Sequence, residues 1–362
     1  MSDATHPAED DDVLTALRRS RSRSRLAAWY DDHRRDLPWR RSRDPYRIWV
    51  SEVMLQQTRV EVVVPYYERF LERFPDVGTL AAAGEAEVLA LWSGLGYYGR
   101  ARRLHAAARR IVHETGNFPA TPVALSRLPG IGSYTAAAVA SIAFGEPVAV
   151  LDGNVERVAA RLLACDGDPK RAAPRRRFFA VAEALLDPAD PGRSNQALME
   201  LGATVCAPRS PRCAECPLRS PCRARARGRV EDYPRPRPRR RPRRLEMTAA
   251  LVRHDGRFLL MRREETSALL AGTWELPWVA GNGDPAADLA RRYGGEWRLE
   301  RRIGTVRHAI TDRDIRLHLW EAVLMTSGAV CEGGEAAWVE PRRIDTLPTS
   351  SLLGKALALL RP

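Results

Sequence analysis

The sequence predicts a multidomain chain: an all-α N-terminal part followed by a C-terminal α+β unit. Three observations predict it. Within residues 26–205, four segments carry apolar side chains at helical spacing. From residue 247 onward the apolar positions alternate instead, as they do in half-buried strands. Between the two lies a short stretch crowded with Arg and Pro. A length of 362 residues accommodates two or three domains at roughly 100–200 residues each.

Residues 1–25 read as a disordered tail. Met1 to Asp12 is acidic, and Arg18 to Arg25 alternates Arg with Ser, a pattern of disorder or of a fraying helix start. The acidic start is not the basic-then-apolar order of a secretory signal. No apolar run approaches the ~20 residues of a membrane helix. The expected compartment is therefore the cytoplasm, with no membrane partner. Helices are expected over Ala81–Trp92, Arg100–His113, Tyr134–Phe144 and Val155–Leu163. Strands are expected at Met247–Val252 and Phe258–Met261, around an Asp255-Gly256 turn, and at Arg316–Val323. No internal repeat is present.

The hydrophobic fraction of 44% excludes disorder of the whole chain. The formal net charge of +13 favours a polyanionic partner, nucleic acid first and anionic membrane second. Residues 1–222 carry 31 basic and 27 acidic side chains, and residues 245–362 carry 16 of each. Residues 223–244 carry 11 Arg against two acids, so most of the excess sits there. Pro234, Pro236, Pro238 and Pro242 alternate with those arginines. Proline at that density opposes a helix and favours an extended form, which like charges stretch further. Such a linker either lies along a phosphate backbone or merely keeps the chain soluble.

Six cysteines occur. Cys165 and Cys331 are isolated and read as small buried apolar residues. Cys206, Cys213, Cys216 and Cys222 fall close together, with spacing that allows all four thiolates to close on one metal centre. A reducing compartment disfavours a disulfide reading. Zinc and a [4Fe–4S] cluster both take four thiolates, so spacing leaves the choice open. Arg209, Arg212 and Arg219 lie within the run, where a closed loop would present cations to phosphate.

Leu128-Pro129-Gly130-Ile131-Gly132 precedes a helical segment. Two glycines permit a tight turn and close backbone approach, and free N–H groups at the next helix start bind phosphate. Between two helical segments this looks like a helix-hairpin-helix motif, which grips DNA without reading sequence. Further on, Val148 to Leu151 delivers Asp152 to the mouth of another helix, at Gly153-Asn154-Val155. Taken alone, Asp152 is an N-cap or part of an Asp-Gly turn.

The hairpin, the following Asp and the four-cysteine loop, in this order, resemble the endonuclease III superfamily of DNA glycosylases. Leu37-Pro38-Trp39-Arg40, Trp49 to Thr58 and Gly94-Leu95-Gly96-Tyr97-Tyr98 narrow the resemblance to the MutY family of adenine glycosylases acting opposite 8-oxoguanine. It covers most of residues 30–222. It implies a helix-hairpin-helix glycosylase domain over 26–205, a [4Fe–4S] loop over 206–222, a linker over 223–246 and a further domain over 247–362. The implied partner is double-stranded DNA carrying adenine opposite 8-oxoguanine or guanine, bound by a monomer.

The resemblance also implies roles. Glu52 is the acid that protonates adenine and activates water. Asp152 is the carboxylate that stabilises the sugar cation, a division of labour like that of glycoside hydrolysis. Apolar neighbours Ile48, Val53 and Leu55 would raise the Glu52 pKa. Tyr134 lines the site near the sugar, Asn154 supports Asp152 or phosphate, and Arg40 helps hold the adenine and Glu52. Bifunctional relatives carry a Lys after the hairpin as Schiff-base nucleophile. Here Ser133 leads into Tyr134, and the chain contains only Lys170 and Lys355, so a monofunctional enzyme is expected. Gln57 and Tyr97 would fill the gap left by the flipped base. Leu55, Gly130, Gly132, Ser133, Arg209 and Arg212 complete the expected DNA contacts. Tyr98 has core packing as its alternative role.

Gly272-Thr273-Trp274-Glu275-Leu276-Pro277 resembles the opening of a Nudix box. Nudix hydrolases continue into a helix with a Glu cluster that binds magnesium. This chain continues instead through Asp288-Leu289-Ala290-Arg291-Arg292-Tyr293, without those glutamates. A Nudix-like lesion-recognition domain is implied. Ile310, Thr311 and Asp312 stand where the family has a Phe-Ser-His contact to 8-oxoguanine, and Asp312 would repel phosphate. Competing readings are a thymine mismatch glycosylase, a non-catalytic iron–sulfur DNA-binding protein and a Nudix nucleotide hydrolase.

Overall fold

The computed structural model describes residues 7–114, 116–235, 242–264, 267, 270–281, 283–310, 312–325 and 335–360. The chain divides into two compact units, one of residues 1–81 and 106–238, the other of residues 82–105 and 239–362. The short segment 82–105 thus groups with the C-terminal part and not with the 26–205 stretch expected as one domain.

The first unit is helical, and its helix starts follow from local capping. The helix Pro45–Leu55 begins at Asp44, whose carboxylate accepts from Tyr46 N–H at 2.9 Å, with Pro45 in the first turn. The helix Pro191–Thr204 begins in the same way at Asp190. The helix Ser133–Phe144 ends at Gly145, whose φ of 73° makes the left-handed C-cap. Helix Gly153–Leu163 matches the expected Val155–Leu163. Its apolar face packs on Phe178, Val181 and Leu201.

The N-terminal tail departs from expectation. Residues from Pro7 form two helices, Pro7–Arg18 and Ser20–His33. Val13 and Leu17 are buried in the core, and Asp10 pairs with Arg177 at 2.5 Å and Arg223 at 3.6 Å. The Arg/Ser run is a helix because its partners lie far along the chain. The Arg/Pro stretch departs likewise. It begins as a short helix, Arg223–Ala226, and a turn, Val230–Asp232. Ala224 and Tyr233 are buried there. Its other end, from Arg243, is already strand. Pro236, Pro238 and their neighbours lie outside the described residues.

The second unit is a mixed sheet with helices. Its strands are β1 (Arg243–His254), β2 (Arg257–Arg262), β3 (Trp274–Glu275), β4 (Trp278–Ala280), β5 (Trp297–Ile310), β6 (Arg313–Leu324) and β7 (Ala336–Val339). The order is β3-β2-β1-β6-β5, with β4 paired to β1 and β7 to β2. β1 and β6 are parallel, from Arg243 opposite Arg313 to Val252 opposite Ala322. The β1–β2 hairpin turns at Asp255-Gly256, both at positive φ, as a two-residue hairpin requires. Met247, Ala249 and Leu251 face one core. Ala250 and Val252 face another, covered by Leu289 and Tyr293 of the helix Pro285–Tyr293. The expected Ala81–Trp92 helix is two helices, Val77–Ala82 and Glu85–Leu91, because Gly84 is extended and starts the second. Cys165 is buried as expected, and Cys331 lies outside the described residues.

Candidate active site

Four helices of the first unit deliver polar side chains into one cavity of about 360 Å³. Pro45–Leu55 brings Glu52 and Leu55, Ser133–Phe144 brings Tyr134, and Gly153–Leu163 brings Asp152 and Asn154 at its start. Pro191–Thr204 brings Gln196, Met199 and Glu200. Arg40, on the turn Pro38–Arg40, closes the rim.

Glu52 is buried, and its carboxyl is raised to about 7. Burial is the main cause, and the Asp152 charge adds to it. A hydrogen bond from the Tyr134 hydroxyl and the Arg40 charge oppose the rise. A carboxyl so poised holds a proton near neutral pH and can also give it up. The Met199 sulfur lies 3.2 Å from the same hydroxyl and competes with Glu52 for its one proton.

Asp152 is half-buried and caps its helix. It accepts from Val155 N–H at 2.7 Å and from the Asn154 amide at 3.0 Å. Burial raises its pKa, while those two donors and the Arg157 charge favour the ionised form. Arg157 in turn donates to Asn154 Oδ1 and to the Gly202 carbonyl, each at 2.8 Å. Local capping and site geometry are therefore one arrangement.

Arg40 does not bond Glu52. Its guanidinium pairs with Glu200 at 2.7 Å and lies over the Tyr30 ring at 5.6 Å. Glu200 is 1% exposed and also takes Arg35 at 2.8 Å. Burial alone would raise its pKa, but the Arg35 and Arg40 hydrogen bonds outweigh burial and hold it at about 2. Sequence reasoning missed Glu200. Its signal was one acid inside the apolar run Leu198-Met199-Glu200-Leu201.

Gln57 is exposed beyond the end of the Pro45–Leu55 helix, at the cavity, with φ of 60°. Gly130 has φ of 77°, and Gly132 caps the next helix with Ser133 exposed beside it. Tyr97 belongs to the second unit. It is 46% exposed, has φ of 52°, and lines a separate cavity of about 460 Å³ with His308, Ala309 and Ile310. Tyr98 is core: it is buried and its hydroxyl donates to the Thr349 carbonyl. Asp312 is exposed and does not line that cavity, and Thr311 lies outside the described residues.

Two family models match: a HhH-GPD superfamily base excision DNA repair protein over residues 50–181, and a NUDIX domain over residues 247–359. A curated adenine DNA glycosylase of Mycolicibacterium smegmatis is 48% identical over 200 residues, which are 55% of this chain and 67% of that protein. The chain belongs to the adenine DNA glycosylase family. The human adenine DNA glycosylase is 48% identical over 229 residues, 60% of this chain, and the chain spans 41% of its length. A solved thermostable thymine-DNA glycosylase shares 30% identity, with a TM-score of 0.54, over 59% of this chain and 99% of that one.

This member of the adenine DNA glycosylase family has a helical helix-hairpin-helix part and a Nudix-like part with a mixed sheet. Among its described residues, no helix is long and apolar enough to cross a membrane.

The four loop cysteines stay close enough for their charges to interact. Burial first, and then the Cys206, Cys222 and Cys213 charges, lift the Cys216 thiol to about 12. Cys206, Cys216 and Cys222 pack against the first unit's core. Among the described residues, no three His, Cys, Asp or Glu side chains are already drawn together to hold a metal ion. The donor set still fits a metal centre, because four adjacent thiols become thiolates only when a cation sits among them. Arg212 pairs with Glu215 at 2.9 Å, whereas Arg209 is exposed.

Proposed function

We propose that the chain is a monofunctional DNA glycosylase removing adenine opposite 8-oxoguanine or guanine in base-excision repair. The observation that carries this is Glu52: a buried carboxyl raised to about 7, hydrogen-bonded by Tyr134, in one cavity with Asp152. Adenine leaves its sugar slowly because the departing base carries negative charge and the sugar positive charge. Protonated Glu52 donates to the flipped base and, once ionised, accepts a proton from the attacking water. Asp152, oriented by Val155 and Asn154, stabilises the sugar cation. Tyr134 fixes the Glu52 carboxyl. The Glu200–Arg40 pair sets a fixed charge pattern at the rim, against which adenine is held.

No lysine lines the cavity, which supports base release without a Schiff-base step. Gly130, Gly132 and Ser133 offer backbone N–H groups to phosphate, with Leu55 and Gln57 toward the gap in the duplex. Tyr97 would contact the strand opposite. Cys206, Cys213, Cys216 and Cys222 would hold a [4Fe–4S] cluster, which when bound fixes the loop and presents Arg209 to DNA, with no part in bond breaking. The second unit would read the base opposite the adenine through Ile310 and Thr311. Its helix Pro285–Tyr293 contains no Glu for magnesium, which weighs against nucleotide hydrolysis.

Likeness to a thymine-DNA glycosylase favours a second reading, thymine removal. Duplexes carrying A opposite 8-oxoguanine, A opposite G, and T opposite G separate the two. Alkali-dependent breaks are expected in the first two. Cutting only of T opposite G overturns the proposal.

A further inference from the structure

Arg161 is an arginine inside the protein that pairs with no carboxylate among the described residues. It lies in the last turn of the helix Gly153–Leu163 and is 2% exposed. Its donors reach the Tyr233 carbonyl at 3.0 Å, Cys206 at 3.1 Å, Ala207 at 2.7 Å and Pro208 at 3.1 Å. The same Nη1 that meets the Cys206 and Ala207 carbonyls lies 3.2 Å from the Cys206 sulfur. The Cys222 thiol donates back to the Arg161 carbonyl at 3.6 Å. Among the described residues, no Asp or Glu forms an ion pair with it. Carbonyls satisfy the N–H groups but bring no net charge, and a buried charge without a counter-charge is costly.

We infer that Arg161 is a positioning residue for the four-cysteine loop, its guanidinium being the built-in counter-charge of an anionic centre held by Cys206, Cys213, Cys216 and Cys222. This rests on the reading that the loop holds a metal centre. Four thiolates around a [4Fe–4S] core or a zinc ion leave a net negative centre, and Arg161 already touches two of the four cysteines. Its planar fork spans three successive carbonyls and the sulfur together, which fixes the loop before the centre forms. A hydrogen bond to a ligating sulfur favours the more negative state and so raises the reduction potential.

The alternative is that Arg161 only pins the loop through carbonyls. The full chain, wild type, R161Q and R161K, separates the two. Iron, sulfide and zinc per chain are measured with the absorbance spectrum and the potential on DNA. A counter-charge predicts that R161Q loses at least half its iron, or keeps it with the redox equilibrium moved at least tenfold, about 59 mV lower for one electron. R161K, which keeps the charge and loses the fork, regains the iron. R161Q with wild-type iron and potential overturns the inference. If R161Q does not fold, R161K carries the test: wild-type metal content supports a counter-charge, and its loss means pinning. Zinc in place of iron in the wild type overturns only the iron–sulfur reading, and the comparison is then made in zinc. A wild-type chain without metal overturns both.

Discussion

Arg40 gives its guanidinium to Glu200 at 2.7 Å and reaches Glu52 only through its charge. Glu200→Ala leaves Arg35 and Arg40 without their shared carboxylate. A loss of about 3 kcal/mol is expected at pH 7 by urea unfolding. The folded Glu200 titrates at about 2, below the ordinary Glu value of 4.5. Its contribution is therefore full above 4.5 and is lost as pH falls toward 2. The gap between Glu200→Ala and the native chain should narrow over that window; a constant gap refutes the linkage.

Glu52 has the opposite sign. Its folded pKa, about 7, lies above the ordinary 4.5, so the folded state holds the extra proton and stability falls as pH rises between them. Above pH 7 the cost approaches ~3 kcal/mol. Glu52→Gln should therefore stabilise the fold at pH 8 while slowing base release about 100- to 10,000-fold. A destabilised Glu52→Gln chain at pH 8 contradicts the burial argument.

Asp152 both caps a helix and faces the cavity, and two substitutions separate these roles. Asn is as good a cap as Asp, so Asp152→Asn should keep stability and lose about 100-fold or more in rate. Asp152→Ala should lose the rate and about 1 kcal/mol. Thermal melts beside single-turnover rates make the comparison.

Tyr134→Phe removes the hydroxyl that holds the Glu52 pKa down. The alkaline limb of the rate profile should then move to higher pH. An unmoved limb would mean that the hydroxyl does not act on Glu52.

Gly130 adopts φ of 77° between the two hairpin helices. Gly130→Ala should cost about 1 kcal/mol through left-handed strain. Duplex binding should weaken equally for matched and mismatched DNA, as a backbone contact predicts. A loss confined to mismatched duplex would place Gly130 in base recognition.

The motifs around Glu52, Tyr134 and Asp152 were legible because each is a short run of sequence. What they do to one another was not. Glu200 and Arg40 are 160 positions apart and meet only in the fold. The acidic tail and Arg/Ser run looked disordered because Val13 and Leu17 find their partners on a distant helix. Asp312 was expected beside Ile310 in one contact, yet it is exposed, and Ile310 lines a cavity with His308 instead.

The sequence by itself determined where helices and turns begin. Caps such as Asp44, Asp152 and Asp190, and the Asp255-Gly256 hairpin, act over three or four neighbouring residues. Only the tertiary structure decided which carboxyl stays protonated, which arginine is paired and which is buried among thiols. Those depend on burial and on charges brought from far along the chain, and neither exists until the helices pack.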